Sequence, residues 1–284
     1  DPSAVSGPAR PDTRPDTPVP PTLTFGDKSL KVAWTTPSSS GSPVDSYTLQ
    51  ISPTPPSGIG EKSGVTGNSL VWEGLENGTN YTVRVRAHNQ APDPSEWSQP
   101  SLPEVPAGKP GAPPAPRVNS APSVGTEAQM TVSWDAAFQN GDSIDNYELR
   151  TYRGGSLVSS VTVGGGQLSQ TVSVPTNQTD YTYTVRALNK AGWGDPSGHS
   201  APQRAFGSPG APTNVSAEPL DRSVHVTFTP PNGNGASASE LRYQYQVNNG
   251  GWTNWNGTSE IGGLTNGNTY TMHVRAYSVV GGQQ

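Results

Sequence analysis

Four histidines, His88, His199, His225 and His273, are the side chains of this sequence best suited to proton transfer or metal ligation. They lie in separate stretches, with neither an H-x-H nor an HExxH spacing, so local geometry brings no two of them onto one ion. All four are read as solvent-exposed bystanders. Carboxylates gather modestly, Asp45 in one loop and Asp142 with Asp145 in another. A calcium ion takes six or more oxygens, which these loops do not supply, and Asp is a common turn former. No GxSxG elbow, phosphate-cradling loop or dinucleotide fingerprint occurs. The expectation is therefore no catalytic residue, no metal, no cofactor and no enzyme activity within this chain.

Aromatic chemistry is the stronger signal. Trp97 in "WSQPS" and Trp193 in "WGDPS" each follow a predicted strand with arginines on its outward phase, Arg84 and Arg86 in the first case and Arg186 in the second. A guanidinium over an exposed indole contributes about 0.5–1 kcal/mol. The rings either hold the surface together by stacking or offer a platform to a ligand. Trp252 and Trp255 follow a Gly-rich turn in "NNGGWTNWNG". Two indoles beside amides suit a sugar, which has apolar faces and polar edges. The plainer alternative is that one ring caps the core and the other covers its edge.

The elements that must position these residues follow from composition and period. With 33 Gly and 30 Pro in 284 residues, long helices are disfavoured and short strands joined by turns are expected. A ten-residue phrase recurs as "NYTVRVRAHN" from Asn80, "DYTYTVRALN" from Asp180 and "TYTMHVRAYS" from Thr269. Trp34, Tyr47, Tyr81 and Ala87 each have a counterpart 100 residues on, at Trp134, Tyr147, Tyr181 and Ala187. The third copy is shorter, with Phe228 and Tyr270 at the matching places. Such a period is the mark of tandem modules. Between copies stand proline-rich stretches that both contain "PGAP". Boundaries are accordingly placed at 1–17 (a Pro-rich linker, disordered or extended), 18–106, 107–207 and 208–284.

Within each copy the apolar residues alternate with period two. Leu30, Val32 and Trp34 share one face, as do Met130, Val132 and Trp134, and Val224, Val226 and Phe228. One face dry and one wet is the pattern of antiparallel strands in a sandwich. Trp34, Trp134 and Phe228 are assigned to the cores.

A Trp-ended strand, a Tyr strand, then "L-x-x-G-x-x-Y" running into "V-x-A-x-N" resembles the fibronectin type III family, over roughly residues 18 to 284. The first copy supplies "LENGTNYTVRVRAHN" and the third "LTNGNTYTMHVRAYS". The resemblance implies an all-β chain of three consecutive seven-stranded immunoglobulin-like sandwiches. It also implies that Tyr81, Tyr181 and Tyr270, early in strand F, turn their hydroxyls onto upstream backbone to pin the E–F corner. The second copy departs, since "VPTNQTDY" lacks the Leu and the Gly. The third ends at "YSVVGGQQ", before a seventh strand fits, and is expected to lack it. The "WSQPS" stretch is similar to the Trp-Ser motif of cytokine-receptor sandwiches, in which the Trp stacks on outward arginines of strand F.

Net charge is −5 and the basic residues are scattered, which gives a nucleic-acid backbone no stripe to follow. No apolar run approaches a membrane span. There is no cysteine. An excess of Arg over Lys, with the Gly and Pro load, reads as GC-rich bacterial coding, and Asp1-Pro2 as the start of a piece of a longer protein. The expected role is an extracellular or cell-surface spacer and interaction scaffold, monomeric, engaging a protein, cell-surface or polysaccharide ligand. The alternative is an accessory region of a secreted polysaccharide-degrading enzyme.

Overall fold

The computed structural model describes residues 7, 11–121, 123–124, 126–176 and 178–280. The described elements are β-strands, apart from one 3-10 turn at Ala238–Glu240. The chain divides into two compact units. One holds Asp1–Ala112 with Ala137–Asn146 and Ala187–Asp195; the other holds Pro113–Ala136, Tyr147–Arg186 and Pro196–Gln284.

In the first unit the strands are β1 (Thr22–Gly26), β2 (Ser29–Ala33), β3 (Ser46–Ser52), β4 (Glu61–Val65), β5 (Ser69–Glu73) and β6 (Thr82–His88). They form two antiparallel sheets, ordered β1–β2–β5 and β4–β3–β6. The period-two alternation turns Leu30, Val32 and Trp72 of one sheet towards Tyr47, Leu49, Ile51, Val83 and Val85 of the other, all buried in one cluster. Trp34 meets Tyr47 edge-on, with ring centroids 5.2 Å apart. Each such aliphatic side chain contributes roughly 1.5–3 kcal/mol by leaving water.

Where a seventh strand is expected, the chain after β6 takes another form. The N–H groups of Ser95, Ser98 and Ser101 donate to the carbonyls of Ala87, Val85 and Val83, each at 2.9 Å. Their hydroxyls accept the N–H groups of the same three residues at 2.9, 3.0 and 3.0 Å. Backbone and side chain alternately do the work of a strand, with period three instead of two. Prolines at 94, 100 and 103 are tolerated because the intervening N–H groups are not needed.

The 1–17 segment also differs from expectation. Residues 1–6 and 8–10 lie outside the described residues, but 12–16 are held against the 38–42 loop instead of hanging as a tether. Asp12 accepts the Ser42 N–H at 2.7 Å and the Ser42 hydroxyl as well. The Asp16 N–H donates to Ser38 O at 2.9 Å. Gly41 permits this approach, since a Cβ there would fall 1.7 Å from the Asp12 carboxylate. Low hydrophobicity argued for disorder, yet Pro15 and Pro18 are buried and the polar groups are paired.

The second repeat contributes β7 (Arg117–Ala121), β8 (Ser123–Val124), β9 (Glu127–Ser133), β10 (Asn146–Arg153), β11 (Ser156–Gly164), β12 (Ser169–Pro175), β13 (Asp180–Asn189), β14 (Gly192–Trp193) and β15 (Gln203–Arg204). In the second unit β12–β9–β7 form one sheet, and β11, β10 and β13 form another, with β15 on β13. Trp134 packs on Tyr147 at 5.7 Å. Ser197 and Ser200 repeat the hydroxyl ladder on Val185 and Tyr183. In the first unit the end of β13 forms a hairpin with β14.

The third repeat, in the second unit, holds β16 (Gly207–Ser208), β17 (Thr213–Leu220), β18 (Ser223–Thr229), β19 (Leu241–Val247), β20 (Thr253–Asn254), β21 (Glu260–Gly262) and β22 (Met272–Ser278). β16 pairs with β8 in parallel. The other six form sheets β17–β18–β21 and β20–β19–β22. Phe228 lies between them, 4.9 Å from the Tyr243 ring and 5.3 Å from Trp255. It is half-buried where Trp34 and Trp134 are buried, because β17 is exposed along its whole length and covers little.

Candidate interaction surface

Strand F of each repeat has a dry and a wet face, and the wet face carries the residues with chemistry. On β6 the wet residues are Thr82, Arg84, Arg86 and His88, between buried Tyr81, Val83, Val85 and Ala87. The serine ladder fixes Trp97 beside them. The Arg84 and Arg86 guanidiniums lie 4.7 and 4.6 Å from its ring centre. Gln50 on β3 holds Arg84 from the other side, accepting its Nε–H at 2.7 Å. The result is a row of amide, guanidinium, indole and guanidinium.

The second repeat places ions on this face. Arg186 on β13 pairs with Glu148, which also takes Arg150 at 2.8 Å. Trp193 is half-buried on β14, opposite Leu188 in the register.

The third repeat rebuilds the first repeat's row with the Trp arriving from the opposite edge. Arg275 on β22 lies 4.3 Å from the Trp252 ring centre and donates to Gln244 at 2.8 Å, and Gln244 donates to Asn254 at 2.7 Å. Trp252 is 37% exposed. Trp255 does not join it. Residues three apart about a two-residue strand take opposite faces, and Trp255 packs inward on Phe228 and, at 5.9 Å, on Tyr245. A shared two-ring sugar platform at Trp252 and Trp255 is thus corrected to one outward ring and one ring at the core edge.

The corner tyrosines use two polarities. Tyr81 and Tyr270 accept the N–H of Glu76 at 3.2 Å and of Thr265 at 3.0 Å. Tyr181 instead donates to Pro175 O at 3.1 Å. The reversal falls in the copy whose turn lacks the Leu and the Gly.

Asn89 and Asn189, which close the repeated phrase, were not singled out by sequence reasoning. Asn89 Nδ2 donates to Thr13 O at 2.8 Å, and Asn189 Nδ2 to Gly108 O at 2.9 Å and Gln139 O at 3.0 Å. Each clamps the segment that precedes its own repeat. The signal was present as Pro-x-x-Pro at 15–18, 110–113 and 209–212. The residue after the first proline donates its N–H to Ser38, Phe138 and Asn232 in turn.

The histidines are partly engaged. His88 Nε2 and Thr48 Oγ1 are 2.8 Å apart, and His199 contacts Thr182 at 2.9 Å and the Tyr152 ring. Burial, with the Arg86 charge, holds the His88 imidazole below its usual range against the opposing pull of Asp45. Asp142 accepts the Lys190 N–H at 2.9 Å, a bond between two loops. Among the described residues no group of three His, Cys, Asp or Glu is placed to hold a metal, and no helix is long and apolar enough to cross a membrane.

The fibronectin type III domain model matches residues 18–104 and 114–203. Over 250 residues the chain is 30% identical to neogenin of Homo sapiens and 29% identical to neogenin of Rattus norvegicus, which covers 80% of this chain. It spans only 16% and 17% of those proteins. Over 131 residues, 45% of this chain, it is 34% identical to chitinase A1 of Niallia circulans. The crystal structure of chicken CNTN1 FN1-FN3 domains covers 94% of both chains at 19% identity and a TM-score of 0.36. The two matched segments take in well over half of the sequence, and the chain belongs to the fibronectin type III family.

Proposed function

We propose that this chain is a non-catalytic scaffold of tandem modules within a larger secreted or cell-surface protein, and that it engages a protein partner through the wet faces of its F strands. The observation that carries this reading is the recurring outward row of amide, Arg and Trp. It occurs as Gln50, Arg84 and Trp97, and again as Gln244, Arg275 and Trp252. Interface hot spots are enriched in Trp and Arg, and stacking pre-orders both side chains, which lowers the entropy lost on binding. The similarity to neogenin across most of the chain agrees with a role inside a much longer protein.

A second reading, accessory modules of a polysaccharide-degrading enzyme, is favoured by the likeness to a chitinase and by the outward Trp252 ring. One binding panel separates the two. The whole chain is tested against insoluble polysaccharides, cell-wall preparations and intact cell surfaces, beside Trp97→Ala and Trp252→Ala. The scaffold reading expects retention on cell surfaces that protease treatment of the cells abolishes, and that either substitution weakens at least ten-fold, about 1.4 kcal/mol. Retention on polysaccharide lost with Trp252→Ala selects the second reading. Binding indifferent to both substitutions removes the F-strand faces from either.

A further inference from the structure

The edge strand of a sheet presents a row of backbone N–H and C=O groups to whatever lies beside it. In the second unit β11 is such an edge, paired with β10 alone in its sheet. It is nine residues long, S-L-V-S-S-V-T-V-G, without charge or proline. Leu157 is 53% and Val158 46% exposed, while Val163 near the other end is buried, so the strand is anchored at one end and presented at the other. The matching edges of the other repeats are defended. β4 has five residues, carries Glu61 and Lys62, shifts register between Tyr47 and Leu49, and holds Gly64 at φ +67°. β20 has two residues. Charge and shortness are among the devices that keep sheet edges from joining, and β11 has neither.

We propose that β11 is a self-association edge, pairing antiparallel with β11 of a second copy of this chain across a two-fold axis. The occupant follows from charge. A charged strand laid along β11 would place its ionic groups against hydroxyl and apolar side chains with no counter-ion, whereas β11 is itself an uncharged strand of matching length. Pairing centred on Ser160 sets Leu157 opposite Val163, Val158 opposite Thr162 and Ser159 opposite Val161, each twice by symmetry. These are β-branched, apolar and hydroxyl pairs of the kind that stabilise cross-strand contacts. A single-strand seam buries less than the ~1,200–2,000 Å² of a stable interface, so the dimer is weak and forms where copies are concentrated.

Sedimentation equilibrium of the whole chain from roughly 10 μM to 1 mM, the range of weak association, tests it. The apparent mass is expected to climb from 29.7 kDa towards twice that value. Val158→Lys, an exposed substitution that puts two like charges into the seam, holds the mass at one chain, while Ser63→Lys in β4 leaves the climb unchanged. Because the sequence has no cysteine, Ser160→Cys reports the axis directly. Mild oxidation should link it to its own copy roughly ten-fold faster than Thr162→Cys, whose partner across the seam is Val158. A single-chain mass throughout, association that survives Val158→Lys, or equal linking at 160 and 162 would each overturn the proposal.

Discussion

Tyr81, Tyr181 and Tyr183 are all buried, yet their hydroxyls are in three different situations: accepting from Glu76, donating to Pro175, and without a hydrogen-bond partner among the described residues. Burial, with the neighbouring Tyr181, pushes the Tyr183 phenol well above its usual range. Removing a hydroxyl that serves a part-buried N–H, as Tyr81 does, costs about 1 kcal/mol, while removing an unserved one costs nothing and relieves desolvation. Tyr81→Phe is therefore expected to lower the melting temperature by several degrees and Tyr183→Phe to leave it unchanged or raise it, as urea or thermal unfolding would show. His88 gives a pH dependence. Its folded-state affinity for a proton is depressed, so the unfolded chain binds the proton first, and stability falls as pH drops below the unfolded value near ~6.5. The loss levels off below the folded-state value. Unfolding midpoints between pH 8 and 5 should show a decline that His88→Gln reduces. The corner tyrosines were legible in the sequence from family pattern. The polarity of their bonds was not, because it depends on which backbone group the E–F turn offers, and that is set in three dimensions.

Strand by strand, the apolar alternation marked the buried face of β2, β6, β9 and β13 correctly, since burying every second residue leaves a period-two trace. The segment after β6 left a different trace. Ser95, Ser98 and Ser101 stand three apart, as do Gly194, Ser197 and Ser200, and a search for period two passes over them. Ser98→Ala should cost roughly 1–3 kcal/mol, because the buried Val85 N–H then has no acceptor. Denaturant unfolding against a Gln99→Ala control measures it. Of the two readings of Trp252 and Trp255, the structure matches the plainer one for Trp255, which packs at the core edge, because the two residues straddle β20 and a strand sends them to opposite sides.

At the level of the whole chain, the stretches taken as spacers are parts of the modules they precede, each bonded to the loop of its own repeat. In the first unit Lys190 adds a further tie. Its ammonium lies 2.8 Å from Val105 O and 3.2 Å from the Glu104 carboxylate, and 4.6 Å from the Phe25 ring centre. Nearby, Gly141 leaves no room for a side chain, as a Cβ would come within 2.6 Å of Pro106 O. Lys190→Met should speed hydrogen exchange at the Gly78 and Gly108 N–H groups by roughly five-fold while leaving Val85 protected, local opening in place of global unfolding. Equal acceleration at Val85 would mean the lysine supports the core itself.

The serine ladder has an evolutionary consequence as well. Every third residue of that segment carries the hydrogen bonds to β6, so the side chains of Glu96 and Trp97, Gln99 and Pro100 are free of those hydrogen-bonding duties. A lineage can rewrite two residues in three along this rail, prolines included, and alter what the module displays without renegotiating how it folds. A library randomised at those positions alone should retain the parent's thermal stability far more often than one randomised at the serines.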